Sequence, residues 1–124
     1  TMPGETPDDV EAELRMLLQR IGAEVPEFRF QLRRLVARGA MEADPDSEIA
    51  RTLGANAARV VGHPAPVRGE PYWTDAGLIA DAGIPSVLIG VDGGGAHANL
   101  EWATTQSVQQ LTDILEGTIR DFLA

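Results

Sequence analysis

The sequence predicts an α/β fold, and three observations support that prediction. Four segments carry apolar residues at helical spacing. Two others, 28–33 and 86–89, have the composition of strands. The second of these follows a short predicted helix, Gly83 and Ile84-Pro85. A helix, a glycine and then an apolar strand form the αβ half of a parallel unit.

Composition limits the function classes. The 124 residues suffice for one domain with a modest core, or for part of something larger. A net charge of −9 argues against nucleic acid or an anionic membrane as partner. No apolar run reaches about 18 residues, so no transmembrane helix is expected. The chain has no cysteine, which excludes disulfides and Cys-based zinc sites, and no signal peptide is visible, so we expect a cytoplasmic location.

The first helix is predicted from Thr6, a plausible N-cap, with Pro7 at the first helical position. Gly22 is a C-terminal stop signal. The apolar stripe between them is Val10, Leu14, Leu17, Leu18 and Ile21. After Pro26, apolar and polar residues alternate from Phe28 to Arg33, which predicts a strand with one wet face and Val36 as its furthest extent.

A linker over 43–46 leads into a second helix, which starts near Asp46 or Ser47 and ends at Gly62. A proline-dense stretch follows. Thr74-Asp75 starts a short helix that Gly83 closes, and a buried strand covers Ser86–Ile89. The last helix starts near Thr104 or Thr105, and its apolar face is Val108, Leu111, Ile114, Leu115, Ile119 and Phe122.

His97 is the residue with the most chemical content. It follows the predicted strand and the run Gly93-Gly94-Gly95, and the carboxyl end of a strand is where α/β proteins bind ligands. Imidazole is the commonest protein metal ligand, so His97 is a candidate ligand. The alternative is an exposed loop histidine or a helix-capping group. His63, beside Pro64, is interpreted as a surface loop residue.

Three blocks carry a resemblance to a known family. The first block is residues 3–6, which precede an acidic amphipathic helix. The second consists of residues 74–78 and 82–85, and the third is the glycine loop with His97 and Glu101. In this order they resemble the C-terminal part of the acetylornithine deacetylase / succinyl-diaminopimelate desuccinylase / carboxypeptidase family of dinuclear zinc hydrolases. Gly77, where many members have arginine, matches the acetylornithine-like branch.

The resemblance implies a partial three-layer αβα catalytic domain, its C-terminal half, preceded by the last helix and strand of a ferredoxin-like lid domain. Residues 1–43 would end the lid or dimerisation domain, and 44–124 would be the catalytic half. The family's other metal ligands and its catalytic glutamate precede this stretch. The chain would therefore be a fragment, inactive alone, with the general base outside it, and a homo-oligomer.

The resemblance also implies roles for individual residues. His97 would hold one zinc ion, and Thr74 with Gly93, Gly94 and Gly95 would border the substrate. Arg38 is a candidate for binding a substrate carboxylate in bidentate fashion, or a solvated charge. Asp75 and Glu101 would support the metal ligands, or serve only helix capping and ion pairing. The glycines also fit a flexible loop.

The implied function is metal-dependent hydrolysis: a metal-activated water cleaves an amide bond in N-acyl amino acids or small peptides. The full-length protein would hold one or two zinc ions, and the fragment would bind zinc weakly or not at all. The alternative is a non-catalytic homologue or interaction module with an incomplete metal site. Two departures from the family border the substrate: Trp73 stands where glycine is usual, and Val91-Asp92 follow Gly90 where the family has Gly-Pro-Gly. The substrate pocket is therefore expected to differ.

Overall fold

Helices dominate the computed structural model of the protein, which describes residues 2–124. In that range the elements are α1 (Pro7–Glu24), α2 (Glu48–Val61), α3 (Ala76–Asp81), β1 (Gly93–Gly94), β2 (Trp102–Ala103) and α4 (Thr105–Phe122). The chain divides into two compact units, Thr1–Glu42 and Ala43–Ala124, so α1 belongs to the first and all other elements to the second. Among the helices of residues 2–124, none combines the length and apolar character that a membrane span requires.

The start of α1 is confirmed, and a capping box fixes it. The Thr6 hydroxyl accepts a hydrogen bond from the Asp9 backbone N–H at 3.2 Å, and the Asp9 carboxylate accepts one from the Thr6 backbone N–H at 3.0 Å. The predicted stop at Gly22 is two residues early, because α1 continues to Glu24. Gly22 stays helical and lies within reach of the Phe28 ring.

The other three helices also form where the sequence predicts them. Ser47 is the N-cap of α2, and Gly62 ends that helix in the left-handed conformation at φ 85°. Gly83 follows α3 at φ 81°. The hydroxyl of Thr104, the N-cap of α4, accepts from the Ser107 backbone N–H at 3.2 Å.

The predicted strand over 28–36 is wrong, because these residues join no β-ladder within the described part of the chain. The segment instead returns along α1. The Phe28 ring lies near Gly22, while the Arg34 guanidinium donates to Asp8 at 2.5 Å and to Glu11 at 2.8 Å. A ladder needs the backbone of a neighbouring strand, and a helix presents only side chains.

The predicted strand Ser86–Ile89 is wrong for the same reason: no strand of residues 2–124 pairs with it. Its burial is nevertheless partly as expected, because Val87 packs on the core of the second unit. That core consists of Leu53, Ala57 and Ile114, where α2 packs on α4. The α/β layering, with a lid before a catalytic half, stays a prediction.

A buried polar group also joins α2 to α4. Asn56 is 2% exposed, and its amide donates to the Thr52 carbonyl at 3.1 Å and to the Asp121 carboxylate at 2.9 Å. Its own carbonyl accepts from Arg59 at 2.7 Å. Gly117 leaves the room for this network, since a Cβ there would collide with the side chains of Asn56 and Arg59. All polar atoms of the Asn56 side chain are thus satisfied, as burial requires.

Candidate functional site

A short β-hairpin carries His97. Strand β1 pairs with β2 in antiparallel register, Gly93 opposite Ala103 and Gly94 opposite Trp102. The connecting loop spans 95–101, so His97 lies at the tip of the hairpin and its side chain is exposed. The sequence predicted the loop but not the pairing on either side of it.

The turn at the tip has a defined geometry. The Ala98 backbone N–H donates to the Gly95 carbonyl at 2.8 Å, which closes a four-residue turn with His97 in its third position. His97 has φ 63°, the positive value that the third position of a type II turn requires. A non-glycine residue in this left-handed region costs about 1–2 kcal/mol, and such residues cluster at functional sites.

The hairpin itself requires Gly93 and Gly95, and it leaves little room beyond glycine at position 94. A Cβ at Gly93 would collide with the backbone carbonyl oxygen of Trp102, and one at Gly95 with that of Leu100. A Cβ at Gly94 would lie 3.2 Å from the indole nitrogen of Trp102. Close approach of the chain to itself therefore explains the run without invoking flexibility. That Gly93, Gly94 and Gly95 border a substrate stays a prediction.

The base of the hairpin is tied to the first turn of α4. The carbonyl oxygen of Asp92, just before β1, accepts from the Thr104 backbone N–H at 3.0 Å and lies 3.1 Å from the Ser107 hydroxyl. Sequence reasoning missed Ser107. The available signal was its position three residues after the N-cap Thr104, where a polar side chain reaches back over the helix start.

The two histidines differ in their surroundings. The ring of His63 follows the end of α2 and places Nδ1 3.1 Å from the Pro64 carbonyl oxygen, in keeping with an exposed loop residue. Neither ring nitrogen of His97 makes a hydrogen bond to any group within residues 2–124. Its imidazole is therefore open to an external ligand.

The remaining predicted site residues fall into three places. Glu101 is exposed and shares the hairpin loop with His97. Thr74 is half-buried and its carbonyl accepts from the Gly77 N–H at 3.1 Å, while Asp75 is the exposed N-cap of α3, with no capping hydrogen bond from its side chain. Arg38 is exposed in the first unit, where it donates to the Ala37 carbonyl at 2.8 Å.

The described residues do not form a metal site by themselves. No group of three or more His, Asp, Glu or Cys side chains capable of holding a metal ion occurs in residues 2–124. Catalytic zinc sites use three protein ligands and structural sites use four. His97 fits as a single exposed nitrogen donor.

The second unit also has an apolar groove of about 370 Å³. Its lining includes Ile49, Leu53, Ile79, Val87, Leu115 and Ile119, from α2, α3, α4 and the 86–89 segment. Four side chains of this lining remain exposed: Ile79 at 45%, Ile89 at 38%, Leu115 at 41% and Ile119 at 58%. Because the lining contains no ionisable group, the groove is suited to packing against apolar groups and not to acid–base catalysis or metal binding.

Comparison with known families identifies the class. A family model described as peptidase family M20/M25/M40 matches residues 6–121, nearly the whole chain. The chain belongs to this family, whose members hydrolyse peptide or amide bonds and typically bind metal ions. Comparisons with curated proteins and with solved structures gave no match. The resemblance seen in the sequence is thus confirmed at the level of the family, and the narrower branch stays a prediction.

Proposed function

We propose that this chain is part of a metal-dependent hydrolase that cleaves the amide bond of N-acyl amino acids or small peptides, with His97 as one metal ligand. The observation that carries the proposal is the geometry of His97. The residue occupies a left-handed conformation at φ 63°, exposed, at the tip of a tied-down hairpin. Residues held at positive φ cluster at active sites and ligand clamps, and this imidazole makes no hydrogen bond within residues 2–124, which together support a ligand-binding role.

Zinc is the metal we propose, and one or two ions are expected in the full-length protein. When bound, it would polarise the scissile carbonyl and lower the pKa of a bound water. His97 alone cannot hold a divalent ion tightly. The other ligands and the general base would therefore come from residues outside 1–124, which makes the isolated chain inactive.

The substrate would be bound by polar groups of this chain. Thr74 and the backbone of Gly93–Gly95 would border the amide. For Arg38, which belongs to the first unit, bidentate binding of a carboxylate stays a prediction from the resemblance. Asp75 and Glu101 would orient the ligand from a second layer. An amide next to a carboxylate is the substrate class that the resemblance implies.

The two histidines supply a matched test. In the full-length protein, His97→Ala should lower bound zinc per chain and abolish hydrolysis of N-acetylated amino acids, because it removes a metal ligand. His63→Ala, which removes the other histidine of this stretch, should change neither. Full metal content and activity in the His97→Ala protein would refute the proposal.

The alternative, a non-catalytic homologue or interaction module, is favoured by one observation. His97 and Glu101 are the two His, Asp, Glu or Cys side chains of the 95–101 loop, and residues 2–124 hold no group of three or more such side chains that could bind a metal ion. The coding sequence that adjoins these residues distinguishes the two functions. A set of His, Asp and Glu ligands encoded there supports the hydrolase, and its absence supports the module.

A further inference from the structure

We propose that Ser107 is a positioning residue that fixes the geometry of His97. This inference rests on the metal-ligand role proposed for His97. Ser107 is 8% exposed and stands third in α4, counted from the N-cap Thr104. A polar side chain at that position commonly reaches back to the N–H of the N-cap residue. The Ser107 hydroxyl instead lies 3.1 Å from the carbonyl oxygen of Asp92, fifteen positions earlier in the chain.

Through this contact, both strands of the hairpin meet the start of α4. The Asp92 carbonyl, which precedes β1, receives the Ser107 hydroxyl and also the Thr104 backbone N–H at 3.0 Å. Thr104 itself directly follows β2. The Ser107 hydroxyl lies 2.9 Å from the Thr104 carbonyl as well, so its single hydrogen is shared between the two strand ends. We call these three residues, Asp92, Thr104 and Ser107, the hairpin clamp.

The clamp matters because the hairpin is too short to be stable on its own. The ladder has two residue pairs, and an isolated two-stranded hairpin is at best marginally stable in water. A residue persists at positive φ only when its surroundings over-determine it. With the clamp released, the 95–101 loop would open more often and His97 would relax toward ordinary φ values, so the Cα–Cβ bond that carries the imidazole would lose its fixed direction.

Amide hydrogen exchange of the 124-residue chain measures the clamp without any metal. The reporter is the Ala98 N–H, which closes the His97 turn on Gly95. Ser107→Ala should speed Ala98 exchange by about threefold to tenfold, because one buried hydrogen bond is lost. Ser107→Thr, which keeps the hydroxyl, should restore the slow rate.

Thr112→Ala is the matched control. It also removes an α4 hydroxyl that donates to a backbone carbonyl, that of Val108 at 2.9 Å, but on an exposed face away from the hairpin. It should leave Ala98 exchange unchanged, and circular dichroism should show equal helix content in all variants. An unchanged Ala98 rate in Ser107→Ala overturns the inference. A Ser107→Thr rate as fast as that of Ser107→Ala overturns it too, since packing and not the hydroxyl would then be responsible.

A metal measurement separates this inference from the proposed function. In the full-length protein, Ser107→Ala should weaken Co²⁺ binding, followed by its visible absorption, about tenfold, with recovery in Ser107→Thr. If His97→Ala leaves Co²⁺ binding intact, the metal-ligand proposal fails, whatever the exchange rates. If His97→Ala abolishes binding while Ser107→Ala leaves both the Ala98 rate and Co²⁺ affinity unchanged, only the positioning role fails.

Discussion

The backbone of His97 lies in the left-handed region, and its imidazole makes no hydrogen bond to the described chain. Asparagine, aspartate and histidine visit this region more readily than other side chains, which explains how a histidine is tolerated at this turn. Glycine would nevertheless be the more stable residue at this position, because it fits the same turn with no steric penalty.

Replacing His97 by glycine is therefore predicted to have opposite effects on stability and on metal binding. His97→Gly should raise the free energy of unfolding by up to about 1 kcal/mol, because glycine adopts positive φ without strain. The same substitution should abolish metal binding in the full-length protein. Chemical denaturation and bound-metal analysis are the two measurements.

His63→Gly is the control for the general effect of glycine, because His63 is outside the positive-φ set. It should leave stability equal or lower, through the larger entropy of the unfolded chain. A destabilised His97→Gly protein would mean that the imidazole contributes to folding rather than to ligand binding.

At the scale of elements, the four helices could be predicted because their signals are local. Thr6, Ser47 and Thr104 stand at the observed N-caps, and Gly62 at an observed left-handed C-cap. Local signals cannot establish the two predicted strands, since a strand forms only when another strand pairs with it. Phe28 and Phe30 do lie on one side of their segment, with ring centroids 6.0 Å apart, as the alternation predicted.

The candidate site was predictable in part, for the same reason. His97 and the glycines stand together in the sequence, and the structure keeps them together in one hairpin. The strand pairing of Gly93–Gly94 and the clamp from Ser107 are contacts between residues far apart in sequence. Residue spacing alone does not encode them, and a glycine run is equally compatible with an irregular loop.

The capping box of α1 predicts a pH dependence in the first unit. The Thr6 hydroxyl and then the Thr6 backbone N–H donate to Asp9 and lower the pKa of its carboxyl. A pKa lower in the folded than in the unfolded state stabilises the fold above the unfolded pKa of about 3.9, and this stabilisation is lost as the pH falls through the folded pKa. Thr6→Ala should therefore raise the pKa of Asp9, as measured by NMR titration of the carboxyl carbon.

Thr6→Ser keeps the donating hydroxyl and should titrate like the parent chain. An Asp9 midpoint in Thr6→Ala that equals the parent value would contradict the proposed cause. Glu11 has a lowered pKa for a different reason, because Arg15 and then Arg34 donate to it. It should be unaffected by the change at Thr6.

The contact between α2 and α4 predicts a large effect from a small substitution. Gly117→Ala would drive a methyl group into Asn56 and Arg59, and overpacking of this kind costs about 1–3 kcal/mol of unfolding free energy. Gly54→Ala is the matched control, since a Cβ at this α2 glycine meets open space and should stabilise by about 0.5–1 kcal/mol. Denaturant unfolding of both variants tests the pair.

A double-mutant cycle assigns the cause. If the collision with Asn56 is responsible, Asn56→Ala combined with Gly117→Ala should cost less than the sum of the single changes. Strict additivity would place the cost of Gly117→Ala elsewhere.

Large apolar side chains are widely exposed among the described residues. Examples are Leu35 at 79%, Val67 at 94% and Leu100 at 76% exposure. Only Leu53, Ala57 and Ile114 are buried hydrophobics of the described residues. Large exposed apolar patches mark surfaces that pack against something else.

We expect the isolated chain to self-associate through the apolar groove. Size exclusion with light scattering should give a mass above that of the monomer, and Leu115→Glu should lower it by placing a charge in the groove. Val67→Glu, at a side chain 94% exposed and outside the groove, should leave the mass unchanged. A strictly monomeric parent chain would contradict this expectation.

Hyperfine NMR of the Co²⁺-loaded full-length protein shows whether the imidazole of His97 binds the catalytic metal. Paramagnetic Co²⁺ shifts the ring protons of a coordinated histidine far outside the diamagnetic range. We predict that one such set of ring signals disappears in His97→Ala and that every set persists in His63→Ala. Shifted ring signals that are identical in the parent and His97→Ala proteins would show that His97 is not a metal ligand.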